Sequence, residues 1–79
     1  MADVARLTEH IARALADAPE AVSASVEAHG NALAVKLKVD PADVGKIIGR
    51  HGRTITAMRS LLSAVGATIS RRVSLEVVE

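Results

Sequence analysis

Near the N-terminus, apolar residues recur at Val4, Leu7, Ile11, Ala14, Leu15 and Ala18. Steps of three and four place them on one side of a helix, predicted over Asp3–Ala18, with Arg6, Glu9, His10, Arg13 and Asp17 turned to water. Asp3 suits the N-cap and Pro19 ends the run. The period then drops to two. Val22, Ala24, Val26 and Ala28 alternate with Ser23, Ser25 and Glu27. After His29-Gly30-Asn31, Leu33, Val35, Leu37 and Val39 alternate with Ala34, Lys36 and Lys38. Two alternating runs about a glycine turn predict a β-hairpin over 22–39 with one wet face.

Helical spacing returns at Asp40-Pro41-Ala42-Asp43. Asp40 can cap, Pro41 fits the first helical position, and Asp43 complements the helix dipole. This helix, predicted over 41–48, carries Val44, Ile47 and Ile48 as its apolar face and stops at Gly49. A loop over 49–52 leads to a helix over 53–65, with Ile55, Met58, Leu61, Leu62 and Val65 buried and Arg53, Thr56, Ser60 and Ser63 wet. Gly66 stands where a left-handed C-cap belongs. An irregular segment over 67–71 precedes a strand over 73–78, in which Val73, Leu75 and Val77 alternate with Ser74 and Glu76. The order is α-β-β-α-α-β, read as one two-layer α+β domain over 1–79.

Composition narrows the classes. A chain of 79 residues buries roughly 60% of its unfolded surface. It has no cysteine, so no disulfide or thiolate metal site staples it. Fifteen alanines make its core thin, which favours pairing with a second chain. No stretch is long and apolar enough to span a membrane, and no basic-then-apolar run follows Met1, so a cytoplasmic protein is expected. No carboxylate, cysteine or histidine pair has catalytic or metal-ligating spacing, and nothing points to an enzyme, a cofactor or a small-molecule substrate.

Charge is the more informative quantity. The net charge is only +1, yet no acid occurs between Lys46 and Arg72, a stretch that also holds Arg50, Arg53, Arg59 and Arg71. A field of one sign favours a polyanion. At its centre lies Val44-Gly45-Lys46-Ile47-Ile48-Gly49-Arg50-His51-Gly52-Arg53-Thr54-Ile55. Glycines without Cβ at the corners of a turn let backbone N–H groups approach a phosphate. Unpaired amides are expected at Gly52, Arg53 and Thr54, the first turn of the following helix. The spacing matches neither a Walker loop nor a dinucleotide fingerprint.

The I-G-x-x-G-x-x-I pattern, set between two helices in the order α-β-β-α-α-β, resembles the KH domain. KH domains are single-stranded nucleic-acid readers whose GXXG loop clamps about four nucleotides. The extra helix and strand precede the βααβ core, as in the type II, prokaryotic form. The whole chain is similar to the single-domain bacterial KhpA family. The resemblance implies a three-stranded mixed sheet with helices on one face, and single-stranded RNA as the partner. It assigns the RNA backbone to Gly49, Arg50, His51, Gly52 and Arg53, and the bases to an aliphatic groove at Val44, Gly45, Ile48 and Ile55. The segment before the last strand would form the far wall, with Lys46, Arg59, Arg71 and Arg72 as auxiliary basic residues. The family also implies an RNA chaperone or post-transcriptional regulator, acting as a homodimer or with a larger KH-domain protein.

The absence of Phe, Tyr and Trp argues against modules that stack bases on aromatics, and sets an expectation of micromolar or weaker binding, since stacking worth about 1–3 kcal/mol per base is missing. Two to four phosphate contacts predict a salt slope of about −1.5 to −3. Two other readings compete. One is a KH-fold dimerisation module with residual RNA binding. The other is a helix-turn-helix reader of duplex DNA, disfavoured because a recognition helix beginning at Arg53 offers few base-reading side chains beyond Arg59.

Overall fold

The computed structural model of the protein describes residues 2–78. Three helices, α1 (Ala2–Leu15), α2 (Val44–Ile48) and α3 (Arg53–Thr68), accompany three strands, β1 (Ser23–His29), β2 (Ala32–Lys38) and β3 (Arg72–Val78). The sheet order is β1-β2-β3, antiparallel between β1 and β2 and parallel between β2 and β3. This is the mixed sheet and the α-β-β-α-α-β order of a type II KH fold.

Alternation along the strands explains the layers. Leu33, Val35 and Leu37 of the central strand are fully buried. Leu33 lies between Ala28 and Val73, Val35 between Val26 and Leu75, and Leu37 between Ala24 and Val77. Val4 and Ala12 of α1, Ile47 of α2, and Ile55, Met58 and Leu62 of α3 close over that face. Ser23, Ser25, Glu27, Lys36, Lys38, Ser74 and Glu76 are exposed on the other. Both edges of the sheet are partly held by side chains. Glu9 Oε2 accepts from the Ala24 amide at 2.9 Å, and Arg13, paired with Glu9 at 3.0 Å, donates to Val22 O at 3.2 Å. Arg59 donates to Leu75 O at 3.3 Å. Glu9 and Arg13 therefore tie α1 to β1 rather than lining a purely solvated face.

Several boundaries differ from the periodicity reading, each for a physical reason. The first helix ends at Leu15, not Ala18, because the amides of Asp17 and Ala18 leave the helix to donate to the Asp43 carboxylate at 3.2 and 2.9 Å. Pro19 begins a 3-10 turn, Pro19–Ala21. Asp3 lies within the first turn rather than capping it. The buried stripe of α1 is Val4, Thr8 and Ala12, flanked by the half-buried Leu7 and Ile11, while Ala14 and Leu15 are exposed. Thr8 can be buried because its hydroxyl donates back to Val4 O at 2.8 Å.

The helix expected over 41–48 is a 3-10 turn, Pro41–Asp43, followed by five residues of α2. Asp40 does cap it, accepting from the Ala42 amide at 2.9 Å. Asp43, 2% exposed, spends its carboxylate on the end of α1 instead of on the helix dipole. The helix expected over 53–65 runs to Thr68, and the strand expected from 73 begins at Arg72. Leu61 of α3 is 43% exposed, outside the stripe.

Gly66 sits inside α3, buried, and the left-handed position is Ser70 (φ 57°). A Cβ on Gly66 would stand 2.5 Å from Arg71 O and 2.7 Å from Val73 Cγ2, so this glycine serves close approach of the returning chain rather than a C-cap. Gly66→Ala should therefore destabilise the domain by about 1–3 kcal/mol despite alanine's better helix propensity. Urea unfolding checks this, and an unchanged midpoint would contradict the packing argument.

Candidate functional site

The break between α2 and α3 is built from two glycines and one left-handed histidine. Gly49 (φ 80°, ψ 169°) ends α2 in a region open essentially to glycine alone. Arg50–Gly52 form a 3-10 turn in which His51 (φ 58°, ψ 25°) and Gly52 (φ 72°, ψ 14°) are both left-handed, and Arg53 resumes the right-handed helix. The two glycines differ in kind. A Cβ on Gly49 would overlap the Thr54 side chain, 2.7 Å from its Cβ and 2.9 Å from its amide nitrogen. A Cβ on Gly52 would meet nothing within 4 Å.

The donors of this turn are not where helix geometry alone puts them. The Gly49 amide donates to Gly45 O at 2.9 Å, the Gly52 amide to Gly49 O at 3.0 Å, and the Arg53 amide to Arg50 O. Two of the three amides expected to be unpaired, those of Gly52 and Arg53, are thus closed onto the loop itself. The amides of Arg50 and His51 have no such partner among the described residues. Arg50, His51 and Arg53 are exposed around them, at the positive end of α3. Free backbone amides and guanidinium groups are both donors of the kind that phosphate oxygens accept from.

Beside the loop, Val44 and Ile48 are half-buried on one side of α2 and Gly45 between them is exposed, giving a short apolar shelf. Ile55, grouped with them in the sequence reading, is 4% exposed and belongs to the core.

The auxiliary cations divide. Lys46 is paired with Asp17, across from α1, and that hydrogen bond raises its pKa above the ordinary 10.5. A raised value means that Lys46 loses its charge only as pH climbs past the raised pKa, so it is charged at neutral pH, where it faces Asp17. Arg59 is turned to Leu75 O, at the edge of β3. Arg71 donates to Gly30 O at 3.3 Å. Arg71 and Arg72 follow the far end of α3, a helix whose 16 residues span about 24 Å, so they stand away from the loop rather than beside it. Nothing in the sequence signalled the pairing of Asp17 with Lys46, or Thr54 as the neighbour that requires glycine at 49.

Gly49→Ala should cost about 2–3 kcal/mol, from backbone strain and the overlap with Thr54. Gly52→Asn should cost less than about 1 kcal/mol, since asparagine visits the left-handed region and has open space here. Denaturant unfolding of both variants provides the comparison; equal losses would show that the two glycines do the same job.

Known proteins place this geometry in a family. The family model described as KhpA/KhpB, KH domain, matches residues 5–77. The chain is 44% identical over 73 residues to a protein of Halalkalibacterium halodurans named RNA-binding protein KhpA, covering 92% of this chain and 96% of that one. The like-named protein of Aquifex aeolicus is 38% identical over 77 residues, covering 98% and 94%. That of Borreliella burgdorferi is 41% identical over 73 residues, covering 92% and 89%. With the type II fold, the glycine loop and these matches spanning nearly its whole length, the chain belongs to the KhpA/KhpB family of KH-domain proteins.

Proposed function

We propose that this protein binds single-stranded RNA, holding the backbone at Gly49–Arg53 and seating bases on the shelf of Val44, Gly45 and Ile48. The names of its relatives support RNA as the ligand. The observation that carries the reading is Gly45. A glycine inside a helix costs about 0.5–1 kcal/mol relative to alanine. Here a Cβ would meet nothing within 4 Å and φ is not positive, so no neighbour in the fold requires the glycine. A ligand lying against α2 does require it. The unpaired amides of Arg50 and His51 then take a phosphate, and Gly52 leaves room for the sugar.

Contacts of this kind hold the backbone more than they read the bases. That suits a protein serving many transcripts in the cytoplasm, as an RNA chaperone or post-transcriptional regulator. With no aromatic platform, one domain binds at micromolar strength or weaker, and pairing with a second copy or with a larger KH-domain protein supplies avidity. A second reading, a KH-fold interaction module with residual RNA binding, is favoured by one observation: Leu15, Leu61 and Ile69 are 40%, 43% and 46% exposed.

Two variants separate the readings. Arg50→Asp/His51→Asp should keep the fold and the oligomeric mass while lowering affinity for labelled single-stranded RNA more than tenfold, about 1.4 kcal/mol. Gly45→Ala should stabilise the domain by up to about 1 kcal/mol and weaken RNA binding at least threefold, about 0.7 kcal/mol. RNA binding unchanged in both folded variants would sink the loop-and-shelf reading in favour of the interaction module.

A further inference from the structure

Beside the last turns of α3 lies an open cavity of about 650 Å³, lined by Asn31, Ser63, Ser70, Arg71 and Arg72 together with Ala67 and Val73. We propose that it is a second phosphate subsite, which takes the backbone of the same RNA strand several nucleotides beyond the glycine loop. The inference rests on the loop's holding RNA and extends the footprint along α3.

Three observations carry it. First, the lining is rich in donors and contains no acid. Arg71 is oriented by its bond to Gly30 O through Nη1, which leaves most of its five N–H donors for a ligand. The backbone amide of Arg72 is anchored on Asn31 O at 3.1 Å, and its side chain is exposed. Second, the returning chain is held in place rather than loose. The Arg71 amide bonds to Gly66 O at 2.8 Å, and Ser70 is fixed in the left-handed conformation, so the two arginines have a defined position relative to α3. Third, the path between the two sites suits a polyanion. Thr56, Ser60 and Ser63 are exposed along α3, all small and hydroxylated, and no acid occurs in the sequence from Lys46 to Arg72.

The length sets the footprint. α3 spans about 24 Å. At a stacked rise of about 3.4 Å per nucleotide this is about seven nucleotides, and fewer for an extended strand. A trimer therefore fills the loop and shelf alone, whereas a dodecamer reaches both sites.

The test uses labelled oligouridylates of three and twelve nucleotides with the full chain. In Arg71→Gln/Arg72→Gln, affinity for the trimer should stay at the wild-type value, while affinity for the dodecamer should fall roughly five- to tenfold. The salt slope for the dodecamer should drop by about 1.4, two single-strand phosphate contacts. Arg50→Asp/His51→Asp should weaken both lengths. Arg72→Gln alone leaves the Gly30 contact intact and guards against a folding artefact; it should still reduce dodecamer binding. A variant that folds and binds the dodecamer as tightly as the wild type, with the same salt slope, overturns the subsite while leaving the loop reading in place. A wild type that binds neither oligomer overturns both.

Discussion

The parallel pairing of β2 with β3 is the constraint on which the rest depends. Antiparallel neighbours can be joined by two residues, as β1 and β2 are through Gly30 and Asn31, but parallel neighbours need a crossover that returns the chain to its starting end. β2 runs seven residues, about 23 Å, and α3 at about 24 Å is long enough to make that return alone. The 3-10 turn and short α2 lift the chain from the end of the sheet into the helical layer. The glycine loop is the corner between the lift and the return. It is exposed because it is a corner, and tight because α2 and α3 both pack on the same sheet through Ile47 and Ile55. Asp43 steadies the corner from behind by fastening the end of α1 to the start of α2.

Charge is apportioned in a way that net counts conceal. The acid-free stretch carries six cations, but Lys46 is engaged by Asp17, Arg59 by the edge of β3, and Arg71 in part by Gly30. The cations presented at the corner are Arg50 and Arg53, with His51 between them.

Strands and loop were legible in the sequence because their signals are local. Alternation of Leu33, Val35 and Leu37 with Ala34, Lys36 and Lys38 needs only a two-residue period, and the order of elements follows from counting turns. Apart from Thr8, what escaped was set by partners distant in the chain. Thr8 is buried through a bond to its own helix, which hydropathy scores as an outward residue. Leu61 and Leu62 are alike in composition, and only the position of α3 over the sheet decides that Leu62 is core and Leu61 is surface. Ile55 joins the core for the same reason, which removes it from the shelf. Gly66 reads as a helix terminator, yet it answers to Arg71 and Val73 pressing on the helix. The use of Asp43 by residues 25 and 26 positions earlier leaves no local trace.

The glycines at 45, 49 and 52 look interchangeable in a motif, but they answer to different masters. Gly49 is required by Thr54 and by its own backbone angles, that is, by the protein. Gly45 meets no internal neighbour, and Gly52 needs glycine for its φ alone. If bases lie on the shelf as proposed, a descendant released from its ligand would be free to replace Gly45 first, gaining stability as it did so, and would still hold Gly49. On the proposed reading of the shelf, the glycine that reports whether such a domain still works is not the one that reports whether it still folds.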